Sequence, residues 1–151
     1  MGTLQGDVIY NKFLTEKIEM KISSIIIEMV LMKCEMFLKY QNQELQHTIN
    51  PCLKSDIKMM IKIIEDLRNI KGIDNKESSI LLTISEFLLF KYGIRSVARL
   101  VSLESSDSLG IGYTDFLIYL EKTFRSLNEN EVKVYYEFLA AYDKPQTIMM
   151  N

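Results

Sequence analysis

The chain has 151 residues, of which 48% are hydrophobic and 25% are charged, and its formal net charge is −2 at pH 7. This is an ordinary globular composition, with room for one domain and a sizeable core. The slight acidity excludes a protein that is basic overall, so a nucleic acid could be contacted only through a local patch of cations.

The cysteine and histidine content limits the metal chemistry that the chain could support. Cys34 and Cys52 have no CxxC spacing and His47 is the single histidine, so Cys and His alone cannot supply a four-ligand zinc site. The amino-terminal segment lacks the features of a secretory signal, and no run of about twenty apolar residues exists. We therefore expect a soluble, cytoplasmic protein with reduced thiols and no membrane contact.

The first part of the chain has a helical pattern of apolar residues from about residue 7 to residue 40. This spacing predicts one long helix or two helices in sequence. Residues 41–48 are polar and are expected to form a connection. The apolar positions in the helical pattern are Ile18, Ile22, Ile25, Ile26, Met29, Met36, Phe37 and Tyr40.

A further helix is predicted to begin at the pair Asn50 and Pro51, an N-cap followed by proline at the first helical position. Gly72 lies where a residue in the left-handed conformation would end this helix. Its apolar positions follow the i, i+3, i+4, i+7 pattern at Ile57, Met60, Ile61, Ile64 and Leu67.

Residues 80–90 are apolar on every side of a helix, with few interruptions. A helix of this kind must be buried on all sides, so the segment is predicted to be the central helix of the domain. Asp74 and Glu77 resemble a capping box that would start it. Gly93 is expected to end or kink it, and a short amphipathic helix should follow.

Two more helices are predicted beyond a loop at residues 105–113. Thr114 can cap the first of them, and Asn128 with Glu131 has the spacing of a capping box for the second. Pro145 would stop the last helix. The predicted fold is an all-α, single-domain bundle of five to six helices, with a long N-terminal helix region at 7–40, a helical core at 50–143 and a short tail at 144–151.

No arrangement of residues in the sequence indicates catalysis. His47 lies in a polar connection, and the carboxylates alternate with lysines at the spacing of salt bridges. Glu86 is the exception, because it lies inside the apolar helix; it should either face a gap between the covering helices or pair with a neighbouring Lys or Arg. We expect a protein that is not an enzyme and that has no cofactor, no metal and no small-molecule substrate.

Two groups of cations could meet a phosphate backbone, because such contacts need only positive groups at suitable spacing. One group recurs every four residues along a helix, and the other lies in an interval, residues 87–103, that contains no acid. The alternative is that both are solvated faces. The six candidate RNA-binding residues are Lys54, Lys58, Lys62, Lys91, Arg95 and Arg99.

Three segments resemble the small helical subunit of type III CRISPR RNA-guided effector complexes: Lys-Ser-Asp-Ile-Lys at 54–58, Tyr-Gly-Ile-Arg at 92–95, and Tyr-Tyr-Glu-Phe-Leu-Ala-Ala-Tyr at 135–142. The resemblance implies a non-catalytic subunit of an antiviral ribonucleoprotein complex. Such a subunit lines the filament, packs on copies of itself and on other subunits, and contacts the backbone of target RNA.

A second resemblance implies a different partner. Leu81, Leu82 and the segment Glu-Phe-Leu at 86–88, followed by Gly93 and by Ile-Gly-Tyr at 111–113, are similar to a pattern in the accessory domain of the archaeal motility apparatus, the archaellum. This family implies a helical protein-protein scaffold that binds no nucleic acid.

Overall fold

The computed structural model describes residues 2–47, 51–71, 77–100 and 110–142. These residues form six helices and two strands, so the predicted helical bundle is confirmed, with a small sheet added to it. The helices are α1 (Gly2–Thr15), α2 (Ile27–Leu45), α3 (Pro51–Lys71), α4 (Ile84–Leu100), α5 (Gly110–Ser126) and α6 (Glu129–Tyr142); the strands are β1 (Lys17–Ser23) and β2 (Glu77–Thr83).

Helix α4 is the centre of the packing, as the sequence predicts. It contacts α1, α2, α3 and both strands. Its side chains Phe87, Phe90 and Ile94 are buried in a hydrophobic core to which every helix and strand contributes. Because these residues lie on one side of α4 while Leu89 and Tyr92 remain partly exposed on another, the helix is not buried all round.

The two strands were not predicted from the sequence, which indicated helices in both segments. They pair antiparallel, with Met20 opposite Ile80. Buried and exposed residues alternate along each strand, so one face of the sheet packs on the core and the other faces solvent. The predicted helix region at 7–40 is therefore interrupted by β1. The predicted central helix is wrong over residues 80–83, because these residues belong to β2. In this strand, Leu81 points to solvent between the buried residues Ile80 and Leu82.

Side chains from helices cap the outer edges of this sheet. The Tyr119 hydroxyl accepts a hydrogen bond from the backbone N–H of Lys21 at 3.0 Å and donates one to the carbonyl of Glu19 at 3.3 Å. On the edge of β2, the Lys62 Nζ donates to the carbonyl of Leu81 at 3.4 Å. One outward N–H and one outward C=O of β1, and one outward C=O of β2, are thus occupied by side chains.

Several predicted helix ends can be compared with the structure. Pro51 is the first residue of α3, as predicted. The Asn128 side chain accepts a hydrogen bond from the backbone N–H of Glu131 at 3.1 Å, which confirms the cap of α6. The predicted connection at 41–48 is wrong in part, because α2 continues to Leu45, and α5 begins at Gly110 rather than after Thr114.

Other predicted ends fall outside the described residues: Asn50, Gly72, Asp74 and Pro145. The proposed partner of Asp74 in a capping box, Glu77, is the first residue of β2 and not part of a helix.

Gly93 does not end the central helix, since α4 runs through it to Leu100. Its role is to let α2 approach α4 closely. A Cβ atom at this position would lie 2.9 Å from the Cδ2 atom of Phe37 on α2, closer than two carbon atoms can pack. The glycine therefore meets a packing requirement within a helix, where its low helix propensity would otherwise be a disadvantage.

Candidate functional site: a groove along helix α4

The three candidate lysines of α3 have different surroundings. Lys54 and Lys58 are exposed and form no ion pair within the described part of the chain. Lys62 instead contacts two carboxylates, with its Nζ 3.1 Å from Asp66 Oδ2 and 3.1 Å from Glu86 Oε1. Only the first two therefore present a charge that is not already compensated.

The candidate cations of α4 share one carboxylate on α5. Lys91 and Arg95 lie 3.4 Å and 3.3 Å from the oxygens of Glu121. The Lys91 Nζ also lies 4.3 Å from the centre of the Phe124 ring, and its side chain is largely buried. The side chain of Arg99 is outside the described residues. The structure thus brings Lys91 and Arg95 together but does not join them to the lysines of α3 in one cluster.

Glu86 is buried at the start of α4 and pairs with a lysine, as the sequence analysis expected. Its Oε1 atom also accepts a hydrogen bond from the backbone N–H of Thr83 at 2.9 Å, while the Thr83 hydroxyl accepts one from the N–H of Glu86 at 3.1 Å. This is a capping box of four residues, Thr83 to Glu86, whose two members lie three positions apart. Burial alone would lower the pKa of Lys62, but hydrogen bonds to Glu86 and Asp66 outweigh it and raise that pKa.

A groove runs along the partly exposed face of α4. Its floor consists of residues at positions i, i+3, i+4, i+7 and i+10 of the helix, namely Ser85, Leu88, Leu89, Tyr92 and Arg95. Because this spacing keeps side chains on one face of a helix, the floor is continuous.

The groove consists of three adjoining cavities of about 140, 210 and 310 Å³. The first is lined by α1, α3 and α6, the second by α3, α4 and α6, and the third by α4, α5 and α6. Adjacent cavities share lining residues, so they form one depression. The first and second cavities share Asp56, Met59, Tyr135 and Leu139; the second and third share Leu88, Tyr92 and Tyr136.

The groove is rich in aromatic and aliphatic groups that remain accessible. Tyr92 is 63% exposed and Tyr136 is 46% exposed, although both are large hydrophobic residues. Tyr135 is buried deeper, where its ring packs against Phe13 of α1 with ring centres 4.8 Å apart. Aromatic side chains with accessible polar ends are typical of binding surfaces.

The buried Tyr135 predicts a specific loss of stability at alkaline pH. Burial raises the pKa of its hydroxyl to about 12, against about 10 in an unfolded chain. The unfolded chain therefore releases the proton first, and stability that is complete below pH ~10 is lost as the pH rises through ~12. At pH ~11 the contribution of Tyr135 to this loss should be about 1.4 kcal/mol, so between pH 8 and pH 11 the wild type should lose about that much more stability than Tyr135→Phe does. Denaturant titrations of both proteins at pH 8 and pH 11 test this; equal pH dependence in the two would contradict it.

The groove was not predicted from the sequence. Tyr92, Tyr135 and Tyr136 are not among the candidate site residues. The apolar pattern of residues 80–90 is a signal for such a groove, since a helix that is apolar on all sides can present one of its faces to a partner instead of to its own core. The apolar pattern alone does not distinguish these outcomes.

The described residues were searched for metal-binding clusters and for helices that could span a membrane. Among them, no group of three or more His, Cys, Asp or Glu side chains is placed to hold a metal ion. In the same part of the chain, no helix combines the length and the apolar character needed to cross a membrane.

No protein-family model, no curated protein and no solved structure matches this chain. The resemblances to the small subunit of CRISPR effector complexes and to the archaellum accessory domain accordingly stay predictions.

Proposed function

We propose that this protein is a non-catalytic, cytoplasmic subunit of a larger assembly, and that its groove receives an amphipathic helix of a partner protein. The observation that carries the proposal is the continuous depression along α4, where Tyr92 and Tyr136 stay exposed on either side of apolar residues. Tyrosine is among the residues that contribute most to binding energy at protein interfaces. Cys34 and Cys52 are not joined in a disulfide, which fits a reducing compartment.

The length of the groove supports a helical occupant. On α4 the lining residues extend from Ser85 to Ser96, which corresponds to about 16 Å at the rise of an α-helix. This length accommodates about three helical turns. A partner helix with apolar residues at i, i+3, i+4 and i+7 would place its stripe along the floor, in the manner of other helix-in-groove complexes.

A second candidate function is contact with an RNA backbone, as the CRISPR resemblance implies. The exposed pair Lys54 and Lys58 favours it, because these lysines are one turn apart and have no carboxylate partner in the described residues. It ranks second because Lys62 contacts two carboxylates and Lys91 and Arg95 share a third, so these three cations and their acidic partners together carry no net positive charge.

A comparison of two double variants tests both candidates. The groove variant combines Tyr92→Asp with Tyr136→Asp, and the lysine variant combines Lys54→Asp with Lys58→Asp. All four positions are exposed, so we expect both variants to keep the helix content and melting temperature of the wild type. Each tagged protein is purified from its native cells, and the recovered proteins and RNA are quantified.

The groove proposal predicts a specific protein that copurifies with the wild type and with the lysine variant but is reduced at least about tenfold with the groove variant, a change of about 1.4 kcal/mol in binding. The RNA candidate predicts a discrete small RNA that is lost with the lysine variant only. If every recovered protein is retained equally by the groove variant, the groove is not the docking site.

A further inference from the structure

We infer that the groove selects the direction of its occupant by charge, and that the partner helix carries an acidic residue at the end that lies beside Arg95. This inference rests on the proposed function of the groove as a helix-binding site. It adds the chemistry of the partner, which the apolar floor alone does not specify.

The cations of the groove lie at one end only. The third cavity, the largest at about 310 Å³, is lined by Lys91 and Arg95. The other two cavities have no lysine or arginine among their described lining residues, and the carboxylate of Asp56 lies where these two cavities meet. The charge along the groove is therefore asymmetric.

The cationic end has positive charge to spare. Lys91 and Arg95 share the single carboxylate of Glu121, so the three groups together carry a net charge of +1. Lys91 is largely buried, but the Arg95 side chain is 65% exposed at the mouth of the cavity. Its planar guanidinium can form two parallel hydrogen bonds to an incoming carboxylate.

An acidic residue of the partner would gain this contact without displacing the existing ion pairs. A lysine at the same place would face two cations and only one acid. Charge complementarity at an interface mainly sets specificity and register, so a single docking direction is the expected result.

The probes are four designed 14-residue amphipathic peptides with the same stripe of leucines. They carry either two glutamates or two lysines, in either the first or the last helical turn, and glutamine at the other polar positions. Binding to the full-length protein is measured by fluorescence anisotropy at low salt. We expect a preference only when the charged residues are at one of the two ends of the peptide. At that end, the glutamate peptide should bind about tenfold more tightly than the lysine peptide, because a single partly desolvated charge contact at the surface can supply a difference of this size.

Two charge-reversal variants provide the matched comparison. Arg95→Glu should reverse the preference between the glutamate and lysine peptides. Lys58→Glu changes the net charge of the protein by the same amount but lies outside the groove, so it should leave the preference unchanged. The Tyr92→Asp, Tyr136→Asp groove variant should weaken the binding of all four peptides.

The outcomes separate this inference from the proposed function. Equal binding of glutamate and lysine peptides, lost in the groove variant, would overturn the charge selection and leave the groove as a docking site. A preference that Lys58→Glu shifts as much as Arg95→Glu would also overturn it, since the effect would come from net charge. No binding of any peptide would remove both claims. Binding of a ten-residue oligouridylate that Arg95→Glu abolishes would assign these cations to phosphate instead.

Discussion

Replacing Phe87 with alanine is expected to lower the free energy of unfolding by about 3 to 5 kcal/mol. Phe87 has no solvent-exposed surface and lies on the core side of α4, the helix that contacts α1, α2, α3 and both strands. The substitution removes the contacts of a whole ring and leaves a cavity that five surrounding elements can fill only in part. Denaturant titration followed by circular dichroism measures the loss.

An exposed apolar residue supplies the control for this measurement. Ile118 on α5 is about half exposed, and Ile118→Ala should change the free energy of unfolding by no more than about 0.5 kcal/mol. If Phe87→Ala cost less than about 1 kcal/mol, α4 would not be the centre of the core.

Replacing Lys62 with methionine is expected to cost about 3 kcal/mol, because it removes the cation that compensates a buried carboxylate. Glu86 is among the few buried charged residues described, and its remaining hydrogen bond comes from the backbone of Thr83. Methionine has a similar length to lysine and keeps most of its packing, so the loss reports on the charge. The free energy of unfolding at pH 7 is the quantity to measure.

Lys58 provides a closely matched control, since it lies one turn earlier on the same helix and has no acidic partner in the described residues. Lys58→Met should therefore have an effect within about 0.5 kcal/mol of zero. Adding Glu86→Gln to Lys62→Met should recover much of the loss, because a neutral amide can still accept the hydrogen bond from Thr83 and needs no counter-ion. Equal losses for Lys62→Met and Lys58→Met would show that the ion pair does not stabilise the fold.

The helices could be predicted from the sequence because their information is local. Apolar residues such as Ile57, Met60 and Ile64 repeat at helical spacing, and Pro51 and Asn128 mark helix starts through their own chemistry. The strands were missed for two reasons. In β1, Ile18 and Ile22 fit the helical spacing i, i+4 as well as the period of two that the whole segment follows. In β2, consecutive apolar residues hide the alternation.

The pairing of the two strands could not be predicted, because they are about sixty residues apart and neither is stable without the other. The same limit applies to the candidate site. The types and positions of Lys91 and Arg95 are visible in the sequence, but their shared partner Glu121 comes from a different helix. The groove likewise exists only where faces of α1, α3, α4, α5 and α6 meet.

The capped edges of the small sheet restrict how copies of this protein could associate. An unpaired strand edge is a template on which another chain can add a strand, and this is a common route to aggregation. Here an incoming strand would first have to displace the Tyr119 hydroxyl from β1 or the Lys62 ammonium group from β2. Growth of the sheet from one copy to the next is therefore disfavoured, and copies of this protein that associate should do so through helix surfaces.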